Sequence, residues 1–443
     1  MKICQGCRPI LRQTQYGSTR PISISLSPNV EREDVRLALK LIKNRKEWKE
    51  GMEIKELEDE FKKYLGVKYA ISFNSGRSAF LAILSSLGLK ADDEILLQAF
   101  TCNAVPNPII WSRQNFFSEK LGGQAGLKPT YVDCDEKTFN INIEDLKKKI
   151  TNRSRAVVVQ HTFGLPADLD EISEICQKNN LILIEDCAHS LGADYHDRKV
   201  GTFGKVAFFS FSRDKVISSV YGGMVATNDD NLAGKIKEYQ EKLDYPSSFW
   251  IFQQLLHPIL MENIILPTYS IFGKYLLILF QWFHILSKAV HWKEKRGRKP
   301  DYFPKRLPNA LASLALNQFK RLDKFNEYRR GIAEFYYENL KNLKFQLPPN
   351  LEDRKQIFLR YTIKHPKAHE IIRKAWQKNI LIGDWYNKVI APHDTKLDKM
   401  EYKIGVCPKA EKLAKETFNL PTHINISKQD AEKIIEFLKD AVL

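Results

Sequence analysis

Residues 181–228 read LILIEDCAHSLGADYHDRKVGTFGKVAFFSFSRDKVISSVYGGMVATN, and this stretch decides the fold. It contains two apolar runs, LILIED and VAFFSFS, that are typical of buried strands. Asp186 ends the first run, Lys215 follows the second, and two glycines, Gly222 and Gly223, come next. Because ligands of parallel sheets gather at the carboxyl ends of the strands, we expect Asp186 and Lys215 to lie at one site.

Strand and helix patterns alternate on the N-terminal side of this stretch. EILLQA, PTYVDC and AVVVQHTF are typical of strands, whereas NIEDLKKKI and LDEISEICQKN are typical of the helices between them. This alternation predicts a mostly parallel sheet with helices on both faces. From about Phe345 onward, shorter strand and helix patterns predict a small α+β domain.

Composition limits the classes of protein and partner. With 443 residues the chain is long enough for two or three domains. The net charge of +16 favours phosphorylated substrates or anionic lipid, and we expect no nucleic-acid partner because no basic-aromatic motif of a known module is present. Seven scattered cysteines and the lack of an apolar signal segment predict a cytoplasmic protein. Cys4 and Cys7 form a lone CxxC, better explained by a frayed tail than by a metal site, and we predict no metal.

The turn NSGRS, residues 74–78, separates the strand pattern KYAISF from the helix pattern AFLAILSSLGL. Free backbone N–H groups at the start of a helix attract an anion such as phosphate. An ordinary turn between a strand and a helix has the same pattern, so this turn alone leaves phosphate binding open.

Asp186 and Lys215 together match the requirements of pyridoxal phosphate. An acid opposite the pyridine nitrogen keeps that nitrogen protonated, and a lysine on a rigid, partly desolvated mount can react with the aldehyde. Each residue also has an ordinary explanation, as a strand-end carboxylate or a surface charge. We expect His189 to reach either the ring hydroxyl or the substrate side of the ring, although a lone histidine is also explained as a structural residue. We expect Ser210 to give its hydroxyl to the phosphate.

Residues 250–287 interrupt the alternating pattern with an apolar, aromatic-rich segment in which only Glu262 and Lys274 are charged. Two prolines and a glycine divide it, so it does not supply the roughly 20 uninterrupted apolar residues of a spanning helix. The basic run KEKRGRK follows at 293–299. Apolar helices beside a cationic run favour peripheral contact with an anionic membrane, at its inner face. Burial against the body or in a dimer interface explains the segment equally well.

Several stretches resemble, in order and spacing, the sugar aminotransferases of the DegT/DnrJ/EryC1/StrS family. They are SFNSGRSAFLAIL, VVVQHTFGLPADLDEI, LIEDCAHSLGADYHDRKVGTFGKVAFFSFSRDK, GGMVATNDDNL, LASLALNQFKRLD and NLPTHINIS. The likeness covers most of the chain from about Glu47, except 114–128 and 241–303. It implies the α/β architecture of fold-type I pyridoxal phosphate enzymes: a large domain with a mostly parallel sheet between helices and a small C-terminal α+β domain, here with an added apolar helical insertion.

The resemblance also implies roles for matching residues. Lys215 would be catalytic, forming the Schiff base with the cofactor and acting as the base, and Asp186 would bind the ring nitrogen. The other implied cofactor contacts are Ser75, Gly76, Arg77, Cys102, His189 and Ser210. We expect substrate contacts from His161, Tyr221, Arg306, Trp385 and Tyr386.

Four positions depart from the family pattern. Arg77 replaces a small hydroxyl residue, so it either adds charge to the phosphate site or points away from it. Cys102 stands where an aromatic ring commonly stacks on the cofactor, and Tyr221 stands where an acid usually precedes Gly-Gly. Pro304-Lys305-Arg306 replaces Asn-Tyr-Arg. The cofactor half of the site therefore follows the family more closely than the substrate half.

These observations predict a pyridoxal phosphate-dependent aminotransferase that moves an amino group, from glutamate, onto a nucleotide- or lipid-linked keto sugar in glycan or amino-sugar biosynthesis. The family implies a homodimer. The alternative is a catalytically reduced cofactor-binding or scaffold protein, recruited to a membrane or partner by residues 241–305. The predicted division of the chain is a loose tail over 1–30, a large cofactor-binding domain over 31–240, the insertion over 241–305, a connecting long helix over 306–344 and the small domain over 345–443.

Overall fold

The computed structural model describes residues 20–112 and 126–442 of the chain. Its strands are β1 Ile22–Ser23, β2 Tyr69–Phe73, β3 Glu94–Gln98, β4 Thr101–Cys102, β5 Lys128–Val132, β6 Ser154–Gln160, β7 Ile182–Asp186, β8 Asp194–Tyr195, β9 Arg198–Lys199, β10 Val206–Ser210, β11 Gly223–Thr227, β12 Arg354–Lys355, β13 Tyr361–Lys364, β14 Ile380–Leu381, β15 Ile390–Ala391 and β16 Thr417–Leu420. Its α-helices are α1 Arg32–Lys43, α2 Met52–Leu65, α3 Gly76–Ser86, α4 Pro106–Trp111, α5 Ile143–Lys149, α6 Leu169–Lys178, α7 Asp230–Glu241, α8 Ser248–Leu260, α9 Lys274–Trp282, α10 Asn309–Phe319, α11 Leu322–Leu340, α12 Ala368–Gln377, α13 Pro408–Glu416 and α14 Lys428–Val442.

The central sheet has seven strands in the order β2-β11-β10-β7-β6-β3-β5. All neighbouring strands are parallel except β11, which runs antiparallel to both β10 and β2. In this order β7 lies next to β10, with Asp186 paired to Phe208. The predicted α/β fold is confirmed, and the sheet brings the strand-end acid and the strand that precedes Lys215 side by side.

The sheet separates two apolar cores because successive strand residues face opposite sides. Ile95 and Phe208 belong to the core shared with α3, α4, α7 and α13. Their neighbours Leu96 and Phe209 belong to the core shared with α1, α2, α6, α8 and α10. Strands buried on both faces explain why the sequence shows continuous apolar runs rather than alternation.

The N-terminal segment differs from the prediction. A loose tail over residues 1–30 is wrong for residues 20–30, where β1 pairs in parallel with β14 and Asn29 and Val30 are buried. Residues 1–19, with the CxxC of Cys4 and Cys7, lie outside the described residues. Short polar segments give no periodic signal, so long-range pairing of this kind escapes a sequence pattern.

The C-terminal part forms a separate apolar cluster. Residues of α11, α12, α14, β13 and β16 pack together around side chains such as Tyr336, Ile363, Ile372, Phe418 and Ile434. β13 and β16 form an antiparallel pair. This arrangement is the small α+β unit that the sequence predicted as part of the fold class.

The insertion divides into two halves of different character. Trp250, Ile251 and Leu255 of α8 belong to the main core, whereas the second half, with α9, exposes most of its apolar side chains. Among the described residues, no single helix is long and apolar enough to cross a membrane. One helical pair, Ser248–Ile265 with Tyr269–Trp282, has sufficient length and composition but is bent by 107°. The first half of the insertion thus packs in the core, and the second half exposes apolar side chains.

Candidate functional site

Asp186 lies at the carboxyl end of β7 and is 3% exposed. Burial raises the pKa of its carboxyl group to about 6, although the Ala188 N–H and the charge of Lys215 favour the ionised form. The Ala188 backbone N–H donates to Asp186 Oδ1 over 3.0 Å. A carboxylate in this environment favours a cationic or N–H-bearing partner.

Lys215 follows β10 on a turn in which its N–H donates to Ser212 O. Burial lowers the pKa of its amine, while Asp214, Cys102 and Asp186 favour the charged form. The Nζ atom lies 5.2 Å from the centre of the Trp385 ring. A buried amine with a lowered pKa is more often neutral, and only the neutral amine is a nucleophile.

The backbone of the lysine turn, residues 215–218, is bound by side chains that the sequence did not predict. Asn29 Nδ2 donates to Lys215 O over 2.6 Å, and Arg329 Nη2 donates to Val216 O over 2.8 Å. Gln318 Oε1 accepts from the Ser218 N–H over 2.8 Å. All three side chains are 1% exposed. They come from the N-terminal segment, α11 and α10, so no local pattern around Lys215 could reveal them.

We predict that Asn29→Ala loosens the lysine turn. The change leaves the Lys215 carbonyl without its amide donor and takes from Arg329 an acceptor at 2.8 Å. We expect the free energy of unfolding to fall by about 1–3 kcal/mol and the affinity for pyridoxal phosphate to fall about tenfold. Urea unfolding and cofactor titration measure the two effects.

Asn425→Ala is the matched control, because Asn425 Nδ2 holds the same segment through Pro28 O and Val30 O. It should reduce stability while leaving cofactor affinity unchanged. Equal losses of affinity in both variants would contradict a specific role of Asn29 beneath Lys215.

One wall of the site is aromatic. His189 accepts the Phe163 N–H at Nδ1 over 3.3 Å, and its ring stacks on Phe163 with centroids 5.8 Å apart. Burial and the nearby Lys215 and Arg360 hold the pKa of His189 well below its usual value, so the ring is neutral. The Trp385 ring lies 6.2 Å from His189. Beside this wall Lys215 is only 9% exposed.

Two charged residues that the sequence reasoning missed complete this wall. Arg360 Nη2 lies 2.8 Å from Asp214 Oδ2, and the Arg360 Cζ atom lies 3.8 Å from the Trp385 ring centre. The predicted substrate residue Trp385 therefore lies against both Lys215 and Arg360. Tyr386 lies deeper, 1% exposed, and packs on Phe163 with centroids 5.5 Å apart.

The predicted phosphate end is built from β2, α3 and the edge of β10. Ser75 caps α3, and its Oγ accepts the Ser78 N–H over 3.0 Å. Ser210 lies behind the turn: a Cβ at Gly76 would come 3.0 Å from the Ser210 Cβ. A Cβ at Gly223 would come 2.4 Å from the Ser75 carbonyl carbon, so only glycine permits this approach of β11. The turn therefore presents N–H groups and hydroxyls that suit a phosphate.

Arg77 and Cys102 lie beside this turn. Arg77 Nε is 2.5 Å from Glu294 Oε2 in the insertion, although the pair lacks well-directed hydrogen-bond geometry, and its Cζ lies 5.5 Å from the Phe303 ring centre. Burial raises the pKa of the Cys102 thiol, which the charges of Arg77 and Lys215 partly oppose. The guanidinium of Arg77 is thus balanced by Glu294, and the departure at this position is explained by the insertion.

We predict strong coupling between Arg77 and Glu294, whose side chains are 10% and 0% exposed. Removing one partner leaves a buried charge unpaired, so Arg77→Ala and Glu294→Ala should each lower the free energy of unfolding by about 3–5 kcal/mol. The double variant should lose clearly less than the sum. The exposed pair Lys305–Asp244 is the control, where each change should cost about 1 kcal/mol or less. Additive losses at Arg77 and Glu294 would contradict the coupling.

Two predicted substrate residues have hydrogen-bond partners within the protein. His161 is fully buried, its Nε2 lies 3.2 Å from Glu185 Oε2 and its Nδ1 accepts the Ala167 N–H. Tyr221 is 1% exposed and donates its hydroxyl to Lys288 O over 2.6 Å. Both side chains are thus engaged in contacts within the protein, and their contact with a substrate stays a prediction. Arg306 lies with its Cζ 4.7 Å from the Tyr245 ring centre, beside the insertion.

A buried group of possible metal donors lies behind the site. The donor atoms of His161, Glu185 and Cys187 are within 4.8 Å of one another. The Glu185 carboxylate also accepts backbone N–H groups from Gly201, Phe203 and Gly204, each over 2.7 Å. Because hydrogen bonds already account for the carboxylate and the imidazole, structural support explains this group.

A family model described as the DegT/DnrJ/EryC1/StrS aminotransferase family matches residues 29–243 and 287–439. GDP-perosamine synthase of Caulobacter vibrioides is 27% identical over 396 residues, which cover 89% of this chain and 91% of that protein. The dTDP-3-amino-3,6-dideoxy-alpha-D-galactopyranose transaminase of Aneurinibacillus thermoaerophilus is 26% identical, over 87% of this chain and 89% of that protein.

Solved structures share the fold. NtdA of Bacillus subtilis, crystallised with bound cofactor PMP, superposes with a TM-score of 0.72 at 19% identity, over 97% of this chain and 87% of that one. The family match omits residues 244–286, which contain α8 and α9. The residues of the site lie within the family match, whereas the exposed half of the insertion lies outside it.

Proposed function

This chain belongs to the DegT/DnrJ/EryC1/StrS aminotransferase family, and we propose on that basis that it uses pyridoxal 5'-phosphate to transfer an amino group onto a keto sugar. The observation that carries the proposal is the pair formed by Asp186 and Lys215 at neighbouring strand ends, both buried. The names of two relatives, a GDP-perosamine synthase and a dTDP-sugar transaminase, support a sugar as the acceptor. Glutamate is the proposed amino donor.

The residues present fit this cofactor. The Ser75–Gly76 turn at the start of α3, with the Ser210 hydroxyl behind it, suits a phosphate dianion. Asp186, with its raised pKa, suits a partner that bears a proton on a ring nitrogen. When bound, pyridoxal phosphate supplies an aldehyde that carries the amino group and a ring that accepts electrons.

The side chains of the site then have separate tasks. Lys215, as the neutral amine that burial favours, would hold the cofactor through its aldehyde, and its Nζ would move the proton between the substrate carbon and the aldehyde carbon of the cofactor. Asp186 would keep the ring nitrogen protonated. His189 and Trp385 line the wall and exclude water, which strengthens every charge interaction inside.

The location of the protein is a further part of the proposal. We place it in the cytoplasm, with peripheral contact to the inner face of a membrane through the insertion. A homodimer is proposed from the family. The acceptor is a nucleotide- or lipid-linked keto sugar, and the reaction serves glycan or amino-sugar biosynthesis.

The half-reaction with glutamate tests this function. Adding L-glutamate to the protein loaded with pyridoxal phosphate should convert the bound cofactor to its pyridoxamine form, and 2-oxoglutarate should reverse the change. Absorbance of the bound cofactor follows both steps. A protein that binds the cofactor but shows no conversion would overturn the proposal and favour the catalytically reduced scaffold.

A further inference from the structure

The outer face of the insertion carries a continuous apolar stripe. Ile271, Tyr275, Ile278 and Trp282 follow one another at steps of four, three and four residues, the spacing of one helix face. Their exposed fractions are 65%, 61%, 63% and 70%. The neighbouring side chains Phe272, Leu279 and Phe283 are exposed as well.

The opposite face of the same segment is packed. Leu277 and Phe280 contact a small buried cluster formed by Met261, Ile265, Leu266 and Leu286. Arg20 donates to Glu262 through both terminal nitrogens, over 3.0 and 2.9 Å. The helix is therefore fixed by its packed face, and its other apolar face is exposed to water. A partner that covered the exposed face would remove this apolar area from water.

Charge shows which partner fits this face. Residues 261–299 contain seven Lys or Arg and only two acids, Glu262 and Glu294. Both acids are buried and paired with arginines, Arg20 and Arg77. The exposed cations of the segment include Lys274, Lys288, Arg296 and Arg298. A second copy of this face would bring like charges together, whereas an anionic surface would attract them.

Aromatic residues strengthen the same conclusion. Tyr275, Trp282 and Trp292 are exposed by 61%, 70% and 51%, and tryptophan and tyrosine favour the headgroup region of a bilayer. Lys274 Nζ lies 5.0 Å from the Tyr275 ring centre, and Arg296 Cζ lies 5.6 Å from the Trp292 ring centre. Each cation thus accompanies an aromatic ring, as expected where acyl chains meet anionic headgroups.

We infer that the stripe Ile271–Phe283 docks in the plane of an anionic lipid bilayer, with the cations of 288–299 on the headgroups. The inference rests on the proposed peripheral contact and adds the helix face that makes it. The segment that follows the stripe contacts the turn that carries Lys215. Phe283 is four residues from Ser287, or about 14 Å at full extension, and Arg213 donates to Ser287 O over 2.7 Å.

Vesicle flotation of the full chain loaded with pyridoxal phosphate tests this inference. Vesicles of phosphatidylcholine with phosphatidylglycerol should float the wild type, and pure phosphatidylcholine vesicles should float it much less. The variant Ile278→Ser/Trp282→Ser should lower partitioning onto the anionic vesicles at least about tenfold. Lys288→Glu/Arg298→Glu should lower it similarly, and high salt should lower wild-type binding.

Ile404→Ser is the matched control, because Ile404 is 71% exposed but lies outside the stripe; its partitioning should equal that of the wild type. Equal flotation of the wild type and the stripe variant would overturn the inference. A lipid-free wild-type dimer that the stripe variant converts to monomer, without flotation of either, would overturn it in favour of a copy-to-copy interface. All variants should keep the glutamate half-reaction, so failure of docking and failure of the proposed function are distinguishable.

Discussion

Lys215→Ala should lose at least about 10³-fold in transamination rate, because one side chain supplies both the nucleophile and the proton shuttle. The variant should fold, since Asn29 and Arg329 hold the backbone of the turn rather than the amine. The rate of glutamate-dependent conversion of the bound cofactor measures the loss. Lys215→Arg should be as inactive, since a guanidinium stays protonated and cannot act as the nucleophile.

Lys149→Ala is the control for this change. Lys149 is a part-buried lysine whose Nζ donates to Tyr131 O over 2.7 Å, away from the strand ends that form the site. It should keep the wild-type rate. A Lys215→Ala variant with near-normal turnover would mean that another amine performs the chemistry.

Asp186→Asn should change function and stability in opposite directions. The variant should bind pyridoxal phosphate much more weakly, because an amide cannot stabilise a protonated ring nitrogen as a carboxylate does. Without cofactor, however, the variant should be more stable than the wild type above about pH 6. Its unfolding temperature and its cofactor affinity, measured on the same preparation, test both statements.

The sign of the stability effect follows from the pKa of Asp186. That pKa is about 6 in the folded protein against 3.8 for an ordinary aspartate. When the pKa of a carboxyl group is higher in the folded than in the unfolded protein, ionisation of that group lowers the free energy of unfolding. This loss of stability is absent below about pH 4 and complete above about pH 6. A shift of about two units corresponds to about 3 kcal/mol. Asparagine removes this loss of stability because it does not ionise.

Asp133→Asn provides the contrast. Asp133 is buried too, but its two oxygens accept the N–H groups of Lys409 and Ala410 over 3.0 and 2.8 Å. Its replacement should lower stability at neutral pH, since one oxygen becomes a donor facing an N–H group. Loss of stability in Asp186→Asn of the same size would contradict the desolvation account of Asp186.

The sequence could predict those parts of the molecule that are local. Apolar runs bounded by turns predicted the strands β3, β6, β7 and β10, and strand ends predicted where Asp186 and Lys215 would lie. The turn at Ser75 was also visible, because its helix cap depends on residues within one turn. In each case the determining contacts lie within a few residues of each other along the chain.

The rest depends on residues that are distant in sequence. Asn29 lies 186 residues from Lys215, and Arg360 lies 146 residues from Asp214, so no spacing rule connects them. His161 resembles a site residue because it follows a strand, yet Glu185 and Ala167 occupy its ring nitrogens. The departure at Arg77 is explained by Glu294, which is distant in sequence and pairs with it.

The insertion illustrates the same limit in another way. Its apolar composition is compatible both with burial in the core and with contact to a membrane. The first half is buried, and the second half is exposed. α8 packs against α1 and α10 in the main core, whereas α9 turns Tyr275 and Ile278 outward. Composition measures how apolar a helix is, but only packing shows which face is covered.

Borohydride reduction of the protein loaded with pyridoxal phosphate, followed by mass mapping of its peptides, tests whether Lys215 holds the cofactor. We expect a single reduced cofactor adduct on Lys215, absent from Lys215→Ala and retained in Lys149→Ala. An adduct on another lysine, or a cofactor that binds with wild-type affinity yet gives no adduct, would contradict it.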